Sequence, residues 1–150
     1  MIDTYAKTLI ALFALMLLSL LATSIALFSI KIGFEPVEIA HFYMGDDQSF
    51  IAKKSFEGLF ETTAPHLFAI TSMIFIVIHL LLFTSYKKYV PYLLTGLLIS
   101  FISDMFSGYF LIINMPFFAI IKWISFLIFQ ILFGISIFML VSDIMRHKTV

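Results

Sequence analysis

Four long apolar runs separated by short polar punctuation set the pattern of this chain. The first, Thr8 to Ile30, reads TLIALFALMLLSLLATSIALFSI and carries no charge. At about 23 residues it exceeds the ~20 that cross a bilayer core at 1.5 Å per residue. A secretory leader has an apolar core of only about 7–15 residues, followed by a small-residue cleavage site. Ser24-Ile25-Ala26 is a poor site of that kind and lies inside the run, so the pattern predicts a retained helix. The other runs are Thr63 to Ser85, Val90 to Ile113 and Phe117 to Val141. The expected spans are therefore 8–30, 63–85, 90–113 and 117–141.

The connections differ in length. Tyr86-Lys87-Lys88-Tyr89 and Asn114-Met115-Pro116 are tight turns, which makes the second, third and fourth spans antiparallel neighbours. Residues 31–62 form the one long polar loop. Pro36 suits the first turn of a helix and Gly45 its end, so Pro36–Met44 reads as a short helix near the membrane interface. Asp46-Asp47-Gln48 reads as a turn. Ser55 suits the cap of a second short helix with Glu57 in its first turn. The second span begins at Thr62 or Thr63 with Pro65 in its first turn, or at Ser55 with a kink at Pro65; the pattern allows both.

Composition agrees with an integral membrane protein. The chain has 150 residues, 62% hydrophobic and 12% charged, with a mean hydropathy of +1.11; soluble domains carry about 25% charged residues. The fold class predicted is all-α, a four-transmembrane-helix bundle in a single membrane domain. Basic residues near the span ends orient it. Lys7, Lys87, Lys88, Arg146 and Lys148 lie on one side; Lys31, Lys53, Lys54 and Lys122 lie on the other, whose long loop is acid-rich. That places both termini in the cytoplasm and the loop outside. The formal net charge of +0 gives no nucleic-acid footprint. The absence of cysteine removes disulfides, thiolate catalysis, iron–sulfur clusters and c-type haem attachment.

Three intramembrane polar residues stand out. A carboxylate near a helix centre costs about 2.5–3.5 kcal/mol on the insertion scale, so Asp104 should face the bundle near Ser100, Ser103 and Ser107. It reads either as a packing residue or as a proton, ion or ligand contact. Gln130 lies at a similar depth on the last span. His79 lies in the second span and is expected to hydrogen-bond within the bundle. His66 lies near the outer end of that span, about 220° from His79 around a helix, so the two do not share a face. The other spans hold no histidine, which disfavours a bis-histidine haem between spans but leaves single-His or His/Met ligation open, with Met73, Met105 and Met139 available. Trp123 reads as an interfacial anchor, with Lys122 snorkelling outward beside it.

The loop carries the more suggestive set. Glu38 and His41 share one side of a helix at i, i+3, as in carboxylate-bridged metal sites. If the loop helix folds over the entrance of the second span, His41, His66 and Glu61 converge, with Glu38 or Glu57 added. Imidazole and carboxylate ligands suit zinc, iron or manganese. The rival reading is of solvated loop charges and interfacial histidines; His147 in the tail reads as solvated.

The strings Ala40-His41-Phe42-Tyr43-Met44-Gly45-Asp46, Lys54 to Glu61 (KSFEGLFE), His66-Leu67-Phe68 and His79-Leu80-Leu81 resemble a pattern in small, poorly characterised four-helix membrane proteins of bacteria. The resemblance covers about the middle third of the chain and groups His41, Glu61, His66 and His79. It implies no activity, and no catalytic set is evident. The expected function is a bacterial inner-membrane protein with a metal or haem site at its outer face, serving redox or metal handling. The alternatives are a structural or accessory subunit of a larger membrane complex and an oligomeric small transporter or channel. The expected partners are the lipid bilayer and either a membrane-complex partner or further copies of the chain.

Overall fold

In a computed structural model the chain is described over residues 4–48 and 50–146. It forms five helices: α1 (Thr4–Lys31), α2 (Pro36–Met44), α3 (Phe56–Leu81), α4 (Val90–Ile112) and α5 (Phe118–Arg146), with a one-turn 3-10 helix at Lys87–Tyr89. Four of them, all but α2, are long and apolar enough to cross a membrane. The expected four-helix membrane bundle is the fold observed. The tail residues His147 and Lys148 lie outside the described residues.

The α4–α5 hairpin is the centre of the bundle. α3 packs against both of its helices, α1 leans chiefly on α5, and α2 lies across the loop-side ends of α4 and α5. Asn114 makes the hairpin turn possible. Its φ of 67° is the left-handed conformation that asparagine tolerates, and the amides of Asn114 and Met115 bond back to Leu111 and Phe110 at 3.0 and 3.2 Å. Those two bonds satisfy the last carbonyls of α4.

Two apolar clusters fill the bundle. One, on the side of the termini, joins Ala14 and Leu17 of α1 to Ile74 and Val77 of α3, Leu97 of α4 and Ile137 of α5. The other lies on the loop side, around Phe28, Ile39, Tyr43, Leu111 and Phe126. There α1 stacks Phe28 on Phe126 of α5, ring centroids 3.9 Å apart.

The loop is ordered by local chemistry. Glu38 reaches back over the start of α2, its Oε2 accepting from Phe34 N at 2.8 Å and Glu35 N at 3.1 Å. Pro36 occupies the first turn, where its missing N–H leaves no bond unmade. Gly45 ends the helix with φ 86°; a Cβ there would sit 2.8 Å from Lys53 N. Asp46 and Ile51 then pair through reciprocal 2.9 Å backbone bonds, and Asp46 Oδ1 accepts from Gln48 N at 3.1 Å, closing the expected turn.

The second span differs from one expected form. Ser55 caps it, accepting from Gly58 N at 3.0 Å, but no separate short helix follows. One helix of 26 residues runs from Phe56 through Pro65 to Leu81. At 1.5 Å per residue it is about 39 Å long against a hydrocarbon core of about 30 Å, so its first two turns extend beyond the apolar layer. The helix tolerates Pro65 at the cost of one donor to the Glu61 carbonyl.

Candidate functional site

A largely buried ion pair joins α4 and α5. Lys122 Nζ lies 2.9 Å from Asp104 Oδ1 and donates to the Asp104 carbonyl at 3.0 Å. It also sits over the Tyr43 ring, 5.4 Å from the centroid. Ser107 donates to the same Asp104 carbonyl at 2.7 Å. Lys122 is 4% exposed, which overturns the expectation that it snorkels outward. The physical reason is the countercharge. The hairpin places Asp104 at comparable height on the facing helix, so the ammonium is neutralised without reaching the surface. Tyr43 closes this site from α2. Burial pushes its phenol above the usual tyrosine value; the Lys122 charge opposes that shift and the Asp104 charge adds to it.

Trp123 packs against the loop-side cluster, and its indole N–H is buried with no acceptor among the described residues. Gln130 does not join Asp104; its Nε2 donates to Ser24 Oγ at 2.9 Å and ties α5 to α1. On the terminus side a second polar knot holds the Lys-Lys turn. Asp143 is 2% exposed and accepts through Oδ1 from the backbone N of Ser85 at 3.0 Å and from its hydroxyl. Ser142 donates to the Tyr86 hydroxyl at 3.2 Å, and Arg146 lies over that ring. The signal for Asp143 in the sequence is a lone carboxylate two residues beyond Val141 and still flanked by the apolar Ile144 and Met145.

The four loop-side residues considered as metal ligands are dispersed. Glu38 caps α2 with Oε2. His41 Nδ1 lies 3.7 Å from Asp46 Oδ2 and borders an open cavity of about 330 Å³ shared with Lys31, Gly33 and Glu38. Glu61 is exposed on α3. Among the described residues no three His, Asp or Glu side chains gather in a group that could hold a metal ion. The loop helix settles on α4 and α5, and that position leaves His41 away from His66 and Glu61.

His66 is differently placed. Leu59, Ile70, Val77 and Leu81 mark the packed face of α3, and at 100° per residue His66 falls within about 20° of Leu59 on that same face. It is nevertheless exposed. α1 meets α3 in the terminus-side cluster but stacks on α5 toward the loop, so α3 stands open at the level of His66. The ring is oriented: Nδ1 lies 2.8 Å from the Thr62 carbonyl. A carbonyl only accepts, so Nδ1 carries a proton, and in the neutral ring the lone pair is on Nε2.

His79 departs from expectation. Among the described residues its ring makes no hydrogen bond. It lies on the outward face of α3, stacked 5.8 Å from Phe75 and edge-on 5.4 Å from Phe83.

With this geometry in hand, comparison with known proteins places the chain. The model of the Aq_1264_TM family, a transmembrane helical domain, matches residues 33–150. The chain belongs to that family. The match takes in α2 to α5, and with them the Lys122–Asp104 pair, Tyr43, His66 and His79. No curated protein and no solved structure matches the chain.

Proposed function

We propose that this member of the family is a bacterial inner-membrane protein that holds a haem through His66 at the outer, loop side of the bundle and serves membrane redox or metal handling. The carrying observation is the state of His66: bundle-facing by phase, open by exposure, with Nδ1 committed to the Thr62 carbonyl. An imidazole whose second nitrogen donates to a backbone carbonyl is the usual form of a metal-ligating histidine. Haem is favoured over a bare ion by ligand count. A structural zinc site takes four protein ligands and a catalytic one about three, whereas a porphyrin supplies four of its iron's ligands and asks for only one or two axial ones. Met73 follows His66 by two turns, about 10 Å along the axis. It packs against the terminus-side cluster, too far along the helix to share a metal with His66.

The test is the absorption spectrum of protein purified from its host membranes. A Soret band that is lost in His66→Ala and kept in His41→Ala and His79→Ala is the expected result. A colourless wild-type protein without bound metal sinks the reading.

A second reading, a structural or accessory subunit of a larger membrane complex, has its own observation. Lys122–Asp104, Asp143–Ser85 and Gln130–Ser24 each satisfy their polar groups within the chain, as a packing unit requires. It predicts that His66→Ala changes stability alone and that a partner co-purifies in mild detergent.

A further inference from the structure

The open cavity of about 330 Å³ beside His41 and Glu38 is bordered on its other side by the last turn of α1. The amides of Ile32 and Gly33 both bond to the Phe28 carbonyl at 3.0 Å. The carbonyls of Ser29, Ile30 and Lys31 are therefore left without a donor among the described residues. All three residues line the cavity, and free carbonyls at a helix C-terminus carry partial negative charge. Glu38 adds a full charge. Its Oε2 is committed to the amides of Phe34 and Glu35, while its Oε1 accepts no hydrogen bond among the described residues. Gly33, at φ 99°, lets the chain pass against that carboxylate; a Cβ there would collide with it. Lys31, the last residue of α1, brings one cation to the same rim. Ile30 beside it ends an apolar span and is 80% exposed. The cavity thus opens where the hydrocarbon layer gives way to headgroups.

We propose that this cavity binds the headgroup of a phosphatidylethanolamine lipid from the loop-side leaflet. The ammonium would lie among the free carbonyls of α1 and Glu38 Oε1, the phosphodiester toward Lys31, and the acyl chains past Ile30 along α1. The match is one of charge and of donors. The headgroup carries one cation and one anion, and the cavity offers a carboxylate and an ammonium. A primary ammonium has three N–H donors for a site rich in acceptors. The trimethylated ammonium of a choline headgroup has none, and phosphatidylglycerol brings no cation. Phe42 is the one aromatic residue lining this cavity, and the Lys54 ammonium already lies over its ring, 4.4 Å from the centroid. It does not form the aromatic cage that quaternary ammonium ions use. His41 turns its Nδ1 toward Asp46 Oδ2, 3.7 Å away. The inference does not rest on the haem reading, since His66 lies away from His41.

The test is native mass spectrometry of the full chain released from nanodiscs. The discs hold equal amounts of phosphatidylethanolamine, its N-methyl and N,N-dimethyl forms, phosphatidylcholine and phosphatidylglycerol, all with the same acyl chains. The expected result is one retained phosphatidylethanolamine per chain, with retention falling at each added methyl. Glu38→Gln keeps a carbonyl oxygen for the start of α2 and removes the charge. It should lower phosphatidylethanolamine occupancy by about threefold to tenfold, and Lys31→Gln should do the same. Lys87→Gln, at the opposite end of the bundle, should leave occupancy unchanged. Soluble glycerophosphoethanolamine has the same headgroup without acyl chains and should not displace the lipid. The proposal is overturned if the choline or glycerol lipid is held as well as phosphatidylethanolamine, or if Lys87→Gln weakens retention as much as Glu38→Gln. Unchanged retention in Glu38→Gln or Lys31→Gln overturns it too, and so does displacement by glycerophosphoethanolamine, which would make the cavity a site for a soluble molecule.

Discussion

A lysine near the end of a membrane helix ordinarily stretches toward the headgroups. Lys122 turns inward because Asp104 offers it a full countercharge at 2.9 Å. Removing one member of such a pair strands the other in an apolar interior, at a cost of about 3–5 kcal/mol. Lys122→Met should therefore lower the unfolding midpoint in detergent sharply, and adding Asp104→Leu should restore much of the loss. Equal losses in single and double variants would show that the pair is not coupled. Tyr43 adds a pH dependence. Below about pH 10 its phenol is protonated in the folded and unfolded chain alike. Above that, burial keeps the folded-state proton on while the unfolded chain releases its own, so stability falls as pH rises through the raised value. An alkaline melting series should decline less steeply in Tyr43→Phe than in wild type.

At the scale of elements, the boundaries that chemistry marks locally were legible beforehand: Pro36 and Gly45 around α2, Ser55 ahead of α3, and the turn at Asp46. Ser55→Ala should cost about 1 kcal/mol through the lost cap, and Gly45→Ala more than ~1 kcal/mol because alanine must adopt the left-handed conformation and meet Lys53; thermal melts of both variants check the order. What could not be read was which side of each span faces inward. A helix apolar all round carries no stripe to mark its buried face. That is why His79 was expected inside and lies outside, and why His66 gained its meaning only from the packing of α1 against α5. The convergence of His41, Glu38, Glu61 and His66 failed for a related reason. Spacing along one helix says nothing about where a loop helix docks, and α2 docks on the α4–α5 ends, where Tyr43 meets Lys122.

For the whole molecule, four spans with an apolar exterior were plain from run length and composition. The internal economy of the bundle was not. α1, α4 and α5 contribute polar side chains to ties with other parts of the chain: Ser24 with Gln130, Asp104 with Lys122, and Asp143 with the turn that follows α3. α3 carries the two exposed histidines of the spans, His66 and His79.

The ion pair also bears on how the chain enters the bilayer. Asp104 and Lys122 lie on consecutive helices joined by a turn of a few residues, with opposite signs at matched depth. Inserted singly, each helix would carry a full charge into hydrocarbon; inserted as a folded hairpin, the two enter with no net charge. The last two spans should therefore leave the insertion machinery together. A chain truncated after α4 should integrate less completely than one truncated after α5, and Asp104→Asn should narrow that difference in a glycosylation-site insertion assay.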